Sequence, residues 1–270
     1  VYDRMAGPLS RAGVAVEHRP WIEAGTGEGF DLVLPLVAWG YHRQADRWRE
    51  TIARLDAAGT RLLNPGATLR WNTDKAYLAE LDAAGAPVIP SLSVDRLAPE
   101  HLVQAAERFG TEALVAKPRI SAGAFRTVRL RPGDPVDAGP EGPTLIQPFM
   151  DKVLEDGELS LIFFDRRFSH AIRKVPKAGD FRVQPEYDGI ITAYAPDADA
   201  LQAAEAILAR IEGPLLYARV DLVRGPDGSP LLIELELIEP DLYLGFAADR
   251  GAAFERAFRE AAFAAASTGA

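Results

Sequence analysis

The chain of 270 residues has no cysteine, which excludes disulfides, thiolate metal sites and cysteine nucleophiles; a reducing cytoplasm is the expected setting. Histidine is scarce, and His18, His42, His101 and His170 show no ligand spacing. No apolar run approaches the roughly 18 residues of a membrane span, and no signal-peptide pattern is present. A basic excess is also missing: the net charge is −9, which argues against a nucleic-acid partner. Neither a P-loop nor a serine nucleophile elbow occurs. What remains is ordinary globular material, 48% hydrophobic and 26% charged. Val1 in place of an initiating Met points to a short preceding segment, and no pattern indicates an oligomeric state.

The most informative stretch runs from Tyr217 to Asp241. Two strand-like runs, YARVDLV and LLIELEL, flank the turn cluster RGPDGSP and form a hairpin. With the turn centred on Asp227-Gly228, Asp221 faces Glu234 and Arg219 faces Glu236. Leu231, Ile233, Leu235 and Leu237 then share the opposite, apolar face. Adjacent carboxylates repel, so a cation is expected among them. An oxygen-only donor set suits Mg²⁺ or Mn²⁺; a solvated acidic face with one Arg–Glu pair is the alternative.

Up to Thr68 the pattern alternates helix and strand: helices over 4–12 and 46–58, strands beginning at Val14, Phe30 and Thr60. This predicts a small parallel α/β unit. Trp39 and Tyr41, ending the second strand, are read as core packing. The glycines of GTGEG, from Gly25 to Gly29, precede a strand instead of opening a helix, so they form a loop and no dinucleotide site. A helix capped by Asn72 or Thr73 follows, with Leu78 and Leu81 inward. Lys75 falls in its first turn, where a cation is unhelpful to the helix dipole and suggests a nearby anion; on that alone a solvated Lys is the favoured reading. Lys117 sits in the apolar strand ALVAKPRI and needs a partner. The small residues Ser121, Ala122, Gly123 and Ala124 leave backbone amides open to an anion.

A strand, TLIQPFM, leads into a hairpin over ELSLIFFDRRFSHAIRKVP that turns at Asp165-Arg166. His170 and Lys174 share one face of it; His170 is expected to be a plain hydrogen-bonded side chain, and Arg173 an exposed one. The polar segment AGDFRVQPEYDG is expected to be mobile. A helix over 196–211 and a closing helix over 247–266 complete the chain, the latter with Phe254, Phe258 and Phe263 inward.

Taken in order, WNTDK, VAKP, Ser121–Ala124, QPFM, GELSLIFF, GDFR and RVDLV…IELELIEP resemble the ATP-grasp superfamily, in its glutathione-synthetase-like branch. NPGATLRWNTDKAYL, SHAIRKVPKAGDFRVQ and ELELIEP are similar to the O-ureido-serine cyclo-ligase subgroup of cycloserine biosynthesis. The resemblance implies an α/β fold: a Rossmann-like domain over 1–67, then two α+β grasp subdomains over 68–146 and 147–270. It implies an ADP-forming carboxylate–amine ligase working through an acyl phosphate, within one molecule or between two, on a small amino-acid-like substrate. A small-molecule kinase on the same scaffold, or a nucleotide binder without turnover, is the alternative. ATP would meet Lys75, Lys117 and the Ser121–Ala124 loop at its phosphates, the main chain of Gln147, Pro148, Phe149 and Met150 at adenine, and Glu158 at the ribose. Mg²⁺ or Mn²⁺ would sit on Asp221, Glu234 and Glu236. Arg182 would contact the transferred phosphate or the acyl phosphate, with Lys174 offsetting charge there, and Arg219, counted with them as catalytic, would neutralise Glu236. The chain departs from the family at Glu236, where Asn is usual; at the single glycine of the phosphate loop; at Leu159, where a basic residue is common; and at Leu34-Pro35, where the subgroup carries a basic residue.

Overall fold

A computed structural model describes residues 2–177, 181–183 and 189–263. Much of the polar segment expected to be mobile, 178–180 and 184–188, lies outside the described residues, as does the tail after Phe263. Two antiparallel sheets form the body. The first has four strands, β1 (Leu92–Val94), β2 (Leu114–Pro118), β3 (Val128–Leu130) and β4 (Thr144–Pro148), in the order β1-β4-β2-β3. Helix α5 (Pro99–Phe109) covers it through Leu102 and Ala105. The second sheet has five strands, β5 (Glu158–Phe164), β6 (Arg167–Val175), β7 (Ile190–Tyr194), β8 (Tyr217–Arg224) and β9 (Pro230–Glu236), in the order β7-β6-β5-β8-β9.

Alternation along β5 divides the labour of the larger sheet. Leu159, Leu161 and Phe163 pack with Leu78 and Leu81 of α4 (Tyr77–Ala83) and with Ala200, Ala204 and Ile207 of α6 (Ala198–Leu208). Glu158, Ser160, Ile162 and Phe164 face the other way. The far half of that face is covered by Met5 and Leu9 of α1 (Tyr2–Arg11) and by Phe254 and Phe258 of α7 (Ala252–Phe263). The near half, with Glu158 and Ser160, is left for polar chemistry. The β5–β6 turn is the two-residue one read from the sequence: Asp165 and Arg166 have φ of 46° and 59°, the left-handed pair that a tight hairpin demands.

The acidic hairpin pairs as expected, Asp221 with Glu234 and Arg219 with Glu236, for a reason the sequence does not display. The turn is centred one half-step earlier, since Arg224 pairs with Pro230 and Leu222 with Leu232. A β-bulge at Ile233 restores the register. Its side effect corrects the expected apolar face. Leu232, Leu235 and Leu237 join the helix-covered core, while Leu231 and Ile233 turn to the opposite side and pack near Phe149 and Val223.

Four further expectations are revised. The three N-terminal strands reduce to one parallel bridge, Val33 with Leu62; Pro35 breaks the apolar run, and Ala38 N–H bonds back to Pro35 O at 2.9 Å. Trp39 is exposed, whereas Tyr41 is buried against Trp48 of α2 (Ala45–Ala57). Asn72 ends α3 (Gly66–Asn72) instead of capping α4, and the Asp74 carboxylate accepts from Ala76 N–H at 2.9 Å there. Phe263 is 48% exposed instead of inward, whereas Phe254 and Phe258 are buried.

Candidate active site

The two sheets meet across a cleft of about 790 Å³. Its walls bring together Lys75, Lys117, Ser121, Ala122, Ala124, Gln147, Pro148, Phe149, Met150, Glu158, Arg182 and Glu234, far apart in sequence. Ile89, Val115, Val223 and Ile233 supply an apolar floor. That combination, mostly greasy with a few converging polar groups, is usual for a small-molecule site. Gly123 borders the cleft's loop without lining it, at φ 60°.

Each polar group is held by its element. Lys75 sits in the break between α3 and α4; its Nζ donates to Ser121 O at 2.5 Å and lies 3.0 Å from Glu234 Oε1. The solvated Lys favoured from the sequence is thus corrected: Lys75 is buried, and the nearby anion is Glu234. Lys117, on β2, donates to Ile233 O at 3.2 Å, a carbonyl that the bulge presents. Burial pulls its pKa down to about 8, against the pull of Glu234. Gln147 is tied by its amide to Ser91 Oγ at 2.9 Å. Phe181, next to Arg182, stacks edge-on against Phe149.

The Ser121–Ala124 loop is docked onto the N-terminal region. Phe125 packs on the His42 ring at 5.8 Å, with the Arg43 guanidinium 5.9 Å from the Phe125 ring centre. Ala124 and Arg126 both take positive φ, 55° and 52°, a conformation costly for side chains other than glycine.

Lys174, Arg219 and Asp221 line neither this cleft nor the cavity beside it; they lie directly behind the wall. Lys174 Nζ donates to Glu158 Oε1 at 2.7 Å and to Asp221 Oδ2 at 3.4 Å. Arg219 donates to Asp221 Oδ2 at 2.8 Å and to Glu236. Ser160, which the sequence reading passed over, donates to Asp221 Oδ1 at 2.6 Å; its place two residues after Glu158 on one strand face was the available signal. Lys174, expected to offset charge at the phosphate, is bound to Glu158 and Asp221 behind the wall instead, whereas Arg219 neutralises Glu236, one of the roles the sequence left open to it. Buried carboxylates need counter-charge, and these two cations satisfy them from within.

The electrostatics follow. Burial raises the Asp221 carboxyl, but Arg219 and Lys174 outweigh it and hold it at about 2. Burial likewise raises Glu234, and Lys75 and Lys117 overcome it, so its pKa is lowered. Glu236 goes to about 7: burial dominates, Arg219 opposes, and Asp221 and Glu234 add to the rise. Among the described residues, no three acidic or histidine side chains converge as a formed metal cage. Glu234 and Glu236, with side chains 30% and 29% exposed, keep carboxylate surface open, whereas Asp221 is 4% exposed.

A second, smaller cavity of about 340 Å³ shares Lys75, Ala122 and Glu234 with the cleft. It adds Tyr41, Asn72, Tyr77, Glu236, Ile238 and Glu239. Asn72 and Tyr77 were missed as site residues. They are committed to the edge of β9: Asn72 bonds Leu235 O at 2.8 Å and Leu237 N at 2.9 Å, and the Tyr77 hydroxyl bonds Leu235 N and O. His170 is hydrogen-bonded to Leu242 O at 2.9 Å and lines neither cavity.

Comparison with known proteins adds sequence and fold relatives. Residues 2–64 match the family described as D-cycloserine synthetase DcsG, N-terminal domain. The cycloserine biosynthesis protein DcsG of Streptomyces lavendulae is 35% identical over 92% of this chain and 89% of its own length. The crystal structure of D-cycloserine synthetase DcsG superposes with a TM-score of 0.84 at 30% identity, covering 97% of this chain and 95% of that one. A D-alanine–D-alanine ligase from Bacillus anthracis shares the fold, with a TM-score of 0.68 at 15% identity over 97% of this chain and 91% of that one.

Proposed function

The chain belongs to the D-cycloserine synthetase family of ATP-grasp enzymes and is an ATP-dependent ligase; from that premise we propose that it closes or joins an amino-acid-like substrate through an acyl phosphate, in antibiotic biosynthesis, at the cleft between its two sheets. The supporting observation is that Lys75, Lys117, Glu158 and Glu234 line one cleft together with the Gln147–Met150 connection. An O-ureido-serine that cyclises to cycloserine is the substrate this reading favours. The division into 1–67, 68–146 and 147–270 is part of the same proposal.

Lys75 and Lys117 hold the nucleotide's phosphates, with the Ser121–Ala124 amides over them. The main chain of 147–150 takes the adenine, and Glu158 the ribose. The hard oxygen donors of Glu234 and Glu236, which reach the cavity, fit Mg²⁺ or Mn²⁺; Asp221, held behind the wall by Arg219, Lys174 and Ser160, would support Glu234 and Glu236 from there. Such an ion would supply charge neutralisation on the phosphates. The substrate carboxylate oxygen attacks the γ-phosphorus and ADP leaves. The nucleophilic nitrogen, in O-ureidoserine the oxygen-bound ureido nitrogen, then attacks the acyl carbon, inorganic phosphate departs and that nitrogen loses its proton; water removes the carbamoyl group as carbon dioxide and ammonia to leave the cycloserine ring. Lys117 and Arg182 offset the charge that builds on the phosphoryl and acyl oxygens. Arg219 and Lys174 act from behind, fixing Asp221, Glu236 and Glu158 in place. Because hydroxide is a poor leaving group, positioning and exclusion of water carry the catalysis.

Incubation with MgATP, O-ureidoserine and hydroxylamine should release ADP and form a hydroxamate, and Glu234→Ala should cost about 10²-fold or more in rate. Release of AMP, or a stable phosphorylated product that hydroxylamine does not trap, would overturn the reading.

A further inference from the structure

The smaller cavity contains two polar groups that the chain itself leaves without a partner. Tyr41 is 7% exposed and lines the cavity, and among the described residues its hydroxyl has no hydrogen bond. Glu239, half-buried on the same cavity wall, has neither hydrogen bond nor ion pair at its carboxylate among the described residues. Its neighbours differ. Glu234 is paired with Lys75, Glu236 with Arg219, and Glu158 and Asp221 with Lys174. Asn72 and Tyr77 are spent on the β9 edge. Neither atom is sealed from solvent, so both stay open to a ligand that enters the cavity and completes them.

The chemistry of that ligand follows from charge and position. Glu236 and Glu239 make part of the cavity lining acidic, so it favours a cation or a donor-rich group. Lys75 and Glu234 line this cavity and the nucleotide cleft alike, and an attacking carboxylate must approach the phosphates there. One class of molecule carries an ammonium two bonds from a carboxylate: an α-amino acid.

We propose that Tyr41 and Glu239 are the specificity-determining residues for the substrate's α-ammonium group: Glu239 accepts its N–H bonds, Tyr41 offers its phenolic oxygen as a second acceptor, and the substrate carboxylate is thereby aimed at the shared Lys75 wall. The burial that raises the Glu239 carboxyl, to about 8, is the same burial that an arriving ammonium offsets. The role of the carboxylate rests on the ligase reading above; capture of the ammonium does not require turnover.

The test compares O-ureidoserine with the same molecule carrying hydrogen in place of its α-amino group. Wild-type protein should prefer the amino compound in kcat/KM for ADP release. Glu239→Gln should shrink that preference by about ten- to a hundredfold, the range of a charge-assisted hydrogen bond. Tyr41→Phe should shrink it less, and Glu239→Asp should restore part of it. No preference in the wild type, or an undiminished one in Glu239→Gln, overturns the proposal. If no acid elicits ADP, the ligase reading fails and calorimetry decides the ammonium site separately. O-ureidoserine is titrated into protein saturated with a non-hydrolysable ATP analogue. Binding by the wild type that is lost in Glu239→Gln supports the site; absent or equal binding refutes it. Should Glu239→Gln not fold, Glu239→Asp and Tyr41→Phe carry the same comparison.

Discussion

At the scale of single residues, burial sets which groups respond to pH. His170 is buried with its ring against Leu242 O, and burial lowers its pKa below 6.5. The unfolded chain therefore takes up a proton near pH 6.5 that the folded chain refuses. It binds more protons there, so the fold loses stability as pH falls through 6.5, by at most about 1.4 kcal/mol per pH unit. Glu236 and Glu239 act in the opposite sense. Their raised pKa values make the folded state bind more protons above 4.5, which stabilises it on acidification. The clean measurement is a difference. Urea midpoints of wild type and His170→Gln, at pH 7.5 and 5.5, should show a shallower loss on acidification in the variant. Parallel pH dependence in the two proteins would contradict this.

At the scale of elements, one glycine holds the strands that carry the cleft's inner ion pairs. Gly157 precedes β5 at φ 77°, and a Cβ there would stand 2.5 Å from Lys174 O. That oxygen is backbone and cannot swing aside. Gly157→Ala combines a left-handed penalty with a clash, and is expected to cost about 2 kcal/mol or more in chemical denaturation. Because Glu158 and Lys174 pair across this point, ATP affinity should fall with it. A variant as stable as wild type would mean the strand end relaxes freely. The other hairpin makes a related point. The carboxylate register was legible in the alternation and the turn cluster, yet the bulge at Ile233 was not, because a bulge answers to what each strand face must pack against. Ile233 gives Lys117 its carbonyl partner as a result.

At the scale of the whole molecule, the N-terminal region is fastened to the larger sheet by polar bolts. Asn64 donates to Tyr217 O at 3.0 Å and Leu237 O at 2.9 Å, and accepts from Leu216 N at 2.8 Å. It is 1% exposed, so none of these groups has water to fall back on. Asn64→Ala strands several buried polar atoms, each costing about 1–3 kcal/mol. The expected loss is about 3 kcal/mol or more by urea denaturation; a loss below about 1 kcal/mol would show that the bolt is dispensable. No helix among the described residues is long and apolar enough to cross a membrane, in keeping with the absence of long apolar runs in the sequence.

The sequence alone determined whatever depends on neighbours along the chain. Helices α1, α2, α5 and α6, the Asp165-Arg166 turn, the shared face of Asp221, Glu234 and Glu236, and the need of Lys117 for a partner all follow from periodicity, turn chemistry and the cost of burying charge. Tertiary structure alone decided which partners those charges found. Lys75 meets Glu234, Lys174 joins Glu158 to Asp221, and Tyr41 comes to face Glu239. It also reduced the N-terminal strands to a single bridge. The reason is that ion pairs and sheet partners are chosen by proximity in the folded chain, and a local pattern specifies what a residue requires without specifying which distant residue supplies it.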